Sequence, residues 1–254
     1  MLILLSPSKS LDFENSASTA APTLPRLLPQ SADLIRIART LSPADLMQLM
    51  GVSENIAALN TARFAQWQTP FTPENAKSAL FAFTGDVYQG MQPLAWHDDT
   101  VQYAQQKVRI LSGLYGVLRP LDLIQPYRLE MKIGLRNAQG SNLYAFWKND
   151  ITALLNADLA AQGEATVLNL ASNEYFKAID PKKLQATIYN VAFKELRNGA
   201  YKIISFSAKR ARGKMCDYVV QHKITQISDL QGFTADNYSY EPTLSTPQNL
   251  VFVR

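Results

Sequence analysis

The sequence predicts a mixed α/β fold. It opens with a short apolar run, Leu2–Leu5, that is typical of a buried strand, and segments with helical patterns follow it. Two strand-like segments, residues 187–196 and 200–206, flank Asn198-Gly199. Because Asn-Gly tolerates the positive φ angles of a tight turn, this pair predicts a β-hairpin. Predicted helices outnumber predicted strands, and the class is therefore mixed.

Short apolar runs predict the remaining strands. Residues 166–171 form one such run, which is compatible with a buried strand. Residues 203–206, Ile-Ile-Ser-Phe, end the second arm of the hairpin, and they are also predicted to be buried.

Helices are predicted at residues 32–41, 44–50, 74–83, 141–162 and 207–221. Ser42-Pro43 and Thr72-Pro73 precede two of them. A hydroxyl can cap the free N–H groups there, and proline at the first helical position loses no hydrogen bond. Ser31 is predicted to cap the first helix, and Gly163 to end the long one. Gly213 is a weak point in the last helix.

Composition limits the classes of protein that the chain can form. Its 254 residues are 47% hydrophobic and 18% charged, which is enough apolar material for a substantial core. No apolar stretch is long enough to span a membrane. The one cysteine, Cys216, excludes an intrachain disulfide and favours a cytoplasmic location. With only His97 and His222 besides, we expect no metal site and no cofactor.

The chain shows no internal repeat and no clear linker between domains. We therefore expect a single domain over residues 1–254, with a helical hairpin inserted at about 42–67. Residues 14–29 are rich in Ser, Thr, Ala and Pro and predict an extended surface loop.

Positive charge is concentrated near the C-terminal third of the chain. The net charge is only +4, but residues 194–214 contain one acid, Glu195, and these basic residues: Lys194, Arg197, Lys202, Lys209, Arg210, Arg212 and Lys214. Such a local field suits phosphate, and the last four residues are candidate DNA contacts. The alternative is a solvated helix face.

A second candidate DNA contact is a tight helical turn. The helix-hairpin-helix motif of DNA-binding proteins has a Leu-Pro-Gly-Val-Gly core followed by Ala, and Leu49, Gly51, Val52 and Ala57 match it. Met50 and Ser53 depart from the motif. In such a turn the N–H groups that begin the second helix can hold a phosphate, so Gly51, Val52 and Ser53 are the candidate contacts. The alternative is an ordinary αα-hairpin.

Polar residues follow several predicted strands and could line a pocket. At the carboxyl ends of strands in α/β sheets such groups often form a ligand crevice. The candidates for an enzymatic pocket are Lys9, Asp12, Asp86, Tyr88, Arg128 and Glu174. The alternative is a network of ion pairs that fixes an irregular segment.

Long motifs along the chain resemble the YaaA peroxide-stress family. They are SPSKSLD at residues 6–12, GDVY at 85–88, LSGLYGVLRPLD at 111–122, PYRLEM at 126–131, NLAS at 169–172, EYFK at 174–177, KIISF at 202–206 and AKRARG at 208–213. The resemblance implies an unusual single-domain α/β fold, with a central sheet, surrounding helices and a helix-hairpin-helix element. It also implies a cytosolic DNA-binding protein with a positively charged cleft, which limits free intracellular iron and protects DNA and protein under peroxide stress.

We therefore expect a monomeric, cytoplasmic protein that binds double-stranded or branched DNA, contacts no membrane and is not an enzyme. Two alternatives stay open. One is an enzyme that acts on a nucleotide or a nucleic-acid base through the strand-end pocket. The other is direct iron sequestration, which would need several ligands in one place.

Overall fold

A computed structural model describes residues 1–15 and 21–254. Its strands are β1 (Leu2–Leu5), β2 (Lys77–Ser78), β3 (Val108–Ser112), β4 (Gly116–Leu118), β5 (Leu123–Ile124), β6 (Thr166–Asn169), β7 (Thr187–Arg197), β8 (Ala200–Lys202), β9 (Ser239–Tyr240) and β10 (Asn249–Val253). Its α-helices are α1 (Leu28–Ala38), α2 (Pro43–Met50), α3 (Glu54–Gln66), α4 (Ala79–Ala82), α5 (Asp86–Met91), α6 (Asp98–Lys107), α7 (Leu143–Ala161), α8 (Asn173–Phe176) and α9 (Ser205–Gln221). Short 3₁₀ helices are at Pro93–Ala95, Ile227–Gly232, Ala235–Asn237 and Pro242–Leu244. The predicted surface loop at 14–29 includes residues 16–20, which lie outside the described residues.

One large sheet organises the fold. Its strand order is β4-β3-β1-β6-β7-β10-β9, and β8 pairs with β7 as a hairpin. The five strands from β3 to β10 in this order run parallel, while β4, β8 and β9 pair antiparallel to their neighbours. All carboxyl ends of the parallel strands therefore lie along one edge of the sheet.

The core is centred on β1. Leu2–Leu5 are fully buried, and Ile3 lies beside Val108 on one side and Leu168 on the other. An unbroken apolar run suits this position, because a central parallel strand is covered on both faces. Helix α7 packs near β4, where the Trp147 indole Nε1 donates to the Gly113 carbonyl oxygen at 2.8 Å. The predicted mixed α/β class, with a central sheet and surrounding helices, is confirmed.

Local signals for caps and turns are confirmed at several points. Ser42 begins α2 in a capping box with Asp45. The β7–β8 hairpin turns at Asn198 and Gly199, whose φ angles are 53° and 77°. Gly163 follows α7 with φ 62°, as expected for a residue that ends a helix.

Three predicted helix starts are displaced. Helix α1 begins at Leu28 with Pro29 in its first turn, so Ser31 is not its cap; its buried hydroxyl donates to the Leu27 carbonyl inside the helix. Helix α7 is capped by Asn142, whose side chain accepts from the Ala145 N–H. Helix α9 begins at Ser205, two residues before the predicted start.

The helix predicted at residues 74–83 is wrong. Asn75 closes a turn there, because its side chain accepts from the Thr72 N–H at 3.0 Å and donates to the Pro70 carbonyl at 2.9 Å. Lys77 and Ser78 then form β2, which pairs with β5. Only Ala79–Ala82 is helical. A strand partner distant in sequence overrides the local capping signal.

The buried strand predicted at residues 203–206 is also wrong. Strand β8 ends at Lys202, and the following residues make the junction to α9 on the surface. Ile203 is 57% exposed and Phe206 is 58% exposed. The apolar run therefore belongs to an exposed corner of the molecule.

Candidate functional site

A cavity of about 310 Å³ lies at the carboxyl edge of the sheet, where the neighbouring strands β1 and β6 end. The segments after these strands are joined by hydrogen bonds. The Ser172 N–H donates to the Ser6 Oγ at 2.9 Å, and the Tyr88 hydroxyl donates to the Ser6 carbonyl at 3.1 Å. The cavity thus occupies the crevice expected for ligands of parallel α/β sheets.

Glycines bring the walls of the cavity together. A methyl group at Gly85, which precedes α5, would lie 2.3 Å from the Ser8 Oγ, so a side chain has no room there. A methyl group at Gly90 would lie 2.2 Å from the Arg210 carbonyl oxygen, and Gly213 is equally close to α5. Helices α5 and α9 therefore cross with their backbones in contact. This crossing brings the first half of α9 to the cavity and explains the glycine inside that helix.

Charged side chains of both signs line the cavity. They are the cations Lys9, Lys209 and Arg212 and the acids Asp86, Glu130 and Glu174. Lys9 is 62% exposed and lies at the mouth, whereas Glu130 is only 4% exposed. No histidine or cysteine is found among the described residues that line the cavity.

Glu130 is the most deeply buried of these charges. Its Oε1 accepts from Arg128 Nε at 3.1 Å and Nη2 at 3.0 Å, and the Lys9 ammonium lies 3.3 Å from the same oxygen. Its Oε2 is buried and has no hydrogen-bond partner among the described residues. One oxygen of a buried carboxylate therefore stays free beside the cavity.

Arg212 presents an unpaired hydrogen-bond donor, whereas Glu130 presents an unpaired acceptor. Its Nε is buried without a hydrogen-bond partner, and no carboxylate within residues 1–15 and 21–254 lies in ion-pair range of its guanidinium. Burial lowers the pKa of Arg212 from its usual value. A half-buried cation whose Nε–H is buried without an acceptor is costly, so this side chain is suited to an incoming anion.

Two tyrosines complete the buried part of the lining. Burial raises the pKa of both Tyr88 and Tyr175 above the usual value for a phenol. Both phenols are therefore neutral hydrogen-bond donors at physiological pH and not proton acceptors.

The structure brings four of the six predicted pocket residues together. Lys9, Asp86, Tyr88 and Glu174 line the cavity, and Arg128 adjoins it through Glu130. Asp12 lies elsewhere. Its carboxylate accepts from the Asn15 side chain and the Glu14 N–H, both at 2.9 Å, and these bonds lower its pKa.

The four cations predicted on α9 point in different directions. Lys209 and Arg212, three residues apart, face the cavity. Arg210 lines a separate apolar groove beside Leu94. Lys214 forms an ion pair with Asp236. The predicted cluster is therefore divided between two faces of one helix.

The helical hairpin at Gly51 is present. Helices α2 and α3 pack against each other within the predicted range 42–67, and Gly51 joins them with φ 62° and open space around its Cα. Ser53 precedes α3 but its side chain makes no capping hydrogen bond. Gly51 and Ser53 are exposed, and Val52 is half-buried. The DNA-binding role of this hairpin stays a prediction.

The hairpin and α9 belong to different parts of the fold. Helix α3 packs against α2 and α1, whereas α9 packs against α5, α6 and β7. The two proposed DNA contacts are therefore carried by elements with different packing partners.

Glu130 is not among the six residues that the sequence predicts for the pocket. The signal was present, because a carboxylate between the apolar residues Leu129 and Met131 is unusual. Tertiary packing is what places Glu130 at the cavity. The segment passes so close to the β3–β4 turn that a methyl group at Gly113 would lie 2.1 Å from the Leu129 carbonyl oxygen.

The described part of the chain has no group of three or more His, Cys, Asp or Glu side chains placed to hold a metal ion. None of its helices combines the length and apolar character that crossing a membrane requires.

Comparison with known proteins gives one consistent family. A family model described as "Peroxide stress protein YaaA" matches residues 1–244. A UPF0246 protein from Aliivibrio fischeri strain ES114 is 52% identical over 254 residues, which cover 100% of this chain and 98% of that protein. A UPF0246 protein from A. fischeri strain MJ11 has the same identity and coverage. One from Shewanella amazonensis is 52% identical and is covered over 99% of its length. The chain therefore belongs to the YaaA peroxide-stress protein family.

Proposed function

We propose that this chain is a DNA-binding protein of the peroxide-stress response, and that it helps to limit free iron and so protects DNA and protein from oxidation. The observation that carries the DNA-binding proposal is a group of exposed cations where β8 leads into α9. Lys202, Lys209 and Arg210 are exposed, with Lys209 and Arg210 on the two faces of α9, and no described acid lies within ion-pair distance of them. Cations left free in this way can neutralise phosphates and release counterions.

The helical hairpin supplies a second contact in this proposal. The exposed turn at Gly51 leaves room for a phosphate, and the first N–H groups of α3 have no side-chain cap. Contacts of this kind hold the DNA backbone without reading bases. The protein therefore binds duplex or branched DNA with little sequence preference.

Salt dependence tests the cationic contact. For a duplex of about 20 base pairs, log affinity falls with log salt by about 0.9 for each neutralised phosphate. Fluorescence anisotropy compares the parent with the triple variant K202Q/K209Q/R210Q. We expect weaker binding to all sequences and a slope smaller by roughly 2–3.

The control is the variant K182Q/K183Q. These exposed lysines precede β7, at the opposite edge of the sheet from α9, and their loss also lowers the net charge. A slope that changes equally in both variants, or in neither, would reject α9 as the DNA surface.

Ser53 tests the hairpin contact. Asp and Asn are both good helix N-caps, so S53D and S53N both preserve α3. Only Asp places a negative charge where the phosphate is proposed to bind. Because both side chains can cap the same N–H groups, the two variants differ only in charge, and we expect S53D to weaken DNA binding several-fold more than S53N does; equal affinity of the two variants would remove the hairpin from the interface.

The iron-limiting part of the proposal comes from the family resemblance. It is tested by measuring chelatable iron after a peroxide pulse in cells that lack the protein, or express the parent or K202Q/K209Q/R210Q. We expect high iron with the variant as well as without the protein. Low iron with the variant would separate the iron effect from DNA binding.

A further inference from the structure

We infer that the cavity at the carboxyl edge of the sheet binds a single nucleotide, with its phosphate on Arg212 and Lys209 and a hydrogen-bond donor of the base or sugar on the Glu130 Oε2. The inference rests on the proposed DNA-binding function. It assigns a ligand to a cavity that the proposed contacts with the DNA backbone do not occupy.

The first argument is the pair of unsatisfied groups. Arg212 presents a buried Nε–H without an acceptor, and Glu130 presents a buried oxygen without a donor. Leaving such a group unpaired in the protein interior is destabilising. A ligand that carries both an anionic acceptor and an N–H or O–H donor satisfies both at once.

The second argument is that Glu130 and Arg212 do not neutralise each other, although both line one cavity. Glu130 uses Oε1 alone for its cations, Arg128 and Lys9. Arg212 has no ion-pair partner in the described chain. The two charges are therefore held apart in a cavity that accepts a ligand of mixed polarity.

The third argument is size and lining. Ligand pockets in proteins measure about 300–1,000 Å³, and this cavity of about 310 Å³ is at the lower end of that range. It admits one nucleotide but no duplex. Val87, Leu170 and Tyr175 give it apolar surface for a base or sugar.

The fourth argument is its position beside the proposed DNA surface. Lys209 lines the mouth of the cavity and is also one of the exposed cations on α9. Phosphate bound at Lys209 can belong to a free nucleotide or to an unpaired nucleotide of a DNA strand. Both sources offer the same chemistry to the cavity, because an unpaired base is easily unstacked.

Calorimetry on the full chain tests the inference with four deoxynucleoside monophosphates, inorganic phosphate, a fully paired duplex and the same duplex with one bulged nucleotide. We expect mononucleotides and bulged DNA to bind more tightly than phosphate and paired DNA respectively. In E130Q the free oxygen becomes an amide donor, and we expect about tenfold weaker mononucleotide binding.

R212K is the second variant, since it keeps the charge but removes the Nε donor. We expect about tenfold weaker mononucleotide binding here as well, and unchanged binding in the control K182Q/K183Q. Thermal melting verifies that each variant is folded; if E130Q unfolds, R212K alone decides.

Three results would overturn the inference. They are absence of mononucleotide binding at millimolar concentration, equal affinity for inorganic phosphate and mononucleotides, and parent-like nucleotide affinity in folded R212K. If the parent still binds duplex in these cases, the nucleotide pocket fails and the proposed DNA-binding function stands.

Discussion

A methyl group at Gly213 of α9 would lie 1.8 Å from the carbonyl oxygen of Val87 in α5. This contact sets the position of the helix that carries both the exposed cations and Arg212. In a helix interior, replacing glycine by alanine normally stabilises the helix by about 1 kcal/mol. At position 213 the added methyl group must instead push the backbones of α5 and α9 apart. The crossing of α5 and α9 therefore depends on the missing side chain.

We predict that G213A destabilises the protein by about 1–3 kcal/mol, the range of overpacked cores. G134A is the matched control, because its methyl group would meet only the Ser141 carbonyl oxygen at 3.8 Å. Urea unfolding of both variants measures the effect. A G213A protein as stable as the parent would mean that α9 can shift without cost.

Glu195 links β7 to the C-terminal residue of the chain, and its ionisation should govern acid stability. A hydrogen bond from Ser207, and then one from Arg254, lower the pKa of this buried carboxyl to about 2. Because the folded pKa lies below the unfolded value of about 4.3, the stabilisation is complete above that value and is lost as pH falls towards 2. We predict that E195Q is less stable than the parent by about 1–3 kcal/mol at pH 7.

Urea unfolding of E195Q and the parent at pH 7, 4 and 3 provides the measurement. The difference in unfolding free energy should shrink below about pH 4.3, because the Glu195 carboxyl is then protonated in the unfolded parent while it stays ionised in the folded one. A difference that stays constant over this range would contradict the role of ionisation.

Cys216 should be chemically inert in the folded protein. Its thiol is fully buried, and burial raises its pKa far above the usual value, so the reactive thiolate is absent at neutral pH. We predict no iodoacetamide adduct by mass spectrometry after an hour at pH 7.5, and complete reaction in guanidinium. Rapid alkylation or peroxide oxidation of the native protein would contradict this and would make Cys216 a candidate sensor.

Asp158 holds two arginines from distant parts of the chain. Its Oδ1 accepts from Arg26 Nη1, and its Oδ2 from Arg26 Nη2 and Arg109 Nε, at 2.5–2.8 Å. Removing one partner of a buried ion pair costs about 3–5 kcal/mol. We predict a loss of this size for D158N, measured by urea unfolding.

The double variant D158N/R109M tests the cause of that loss. It removes the more deeply buried cation together with the carboxylate, so we expect it to recover part of the stability. A double variant less stable than D158N would show that Arg109 stabilises the fold by other contacts.

Signals carried by neighbouring residues could be read from the sequence. Ser42 and Asp45 cap α2, and Asn198-Gly199 turns the hairpin, because each depends on residues within the same few positions. Structure that depends on contacts between residues distant in sequence could not be predicted in this way. The pairing of Lys77 with Ile124 replaced the helix predicted at 74–83.

The candidate site also contains residues that local sequence predicts and one that only tertiary packing places. Lys9, Asp86 and Glu174 were predicted because polar groups follow strand ends. Residues three apart share a face of a helix, so Lys209 and Arg212 lie on one face and Arg210 on another. The sequence alone was therefore sufficient to assign the basic residues of α9 to two faces. Glu130 could not be placed, since its approach depends on a long irregular segment that packs against the β3–β4 turn.

The sheet ends in two very short antiparallel strands, β4 with three residues and β9 with two. A long open edge offers a row of unpaired amide groups to which another polypeptide can add, and this is a common route to aggregation. Here the apolar parallel strands are screened from such addition on both sides. The protein should consequently stay dispersed when oxidised, partly unfolded polypeptides accumulate around it.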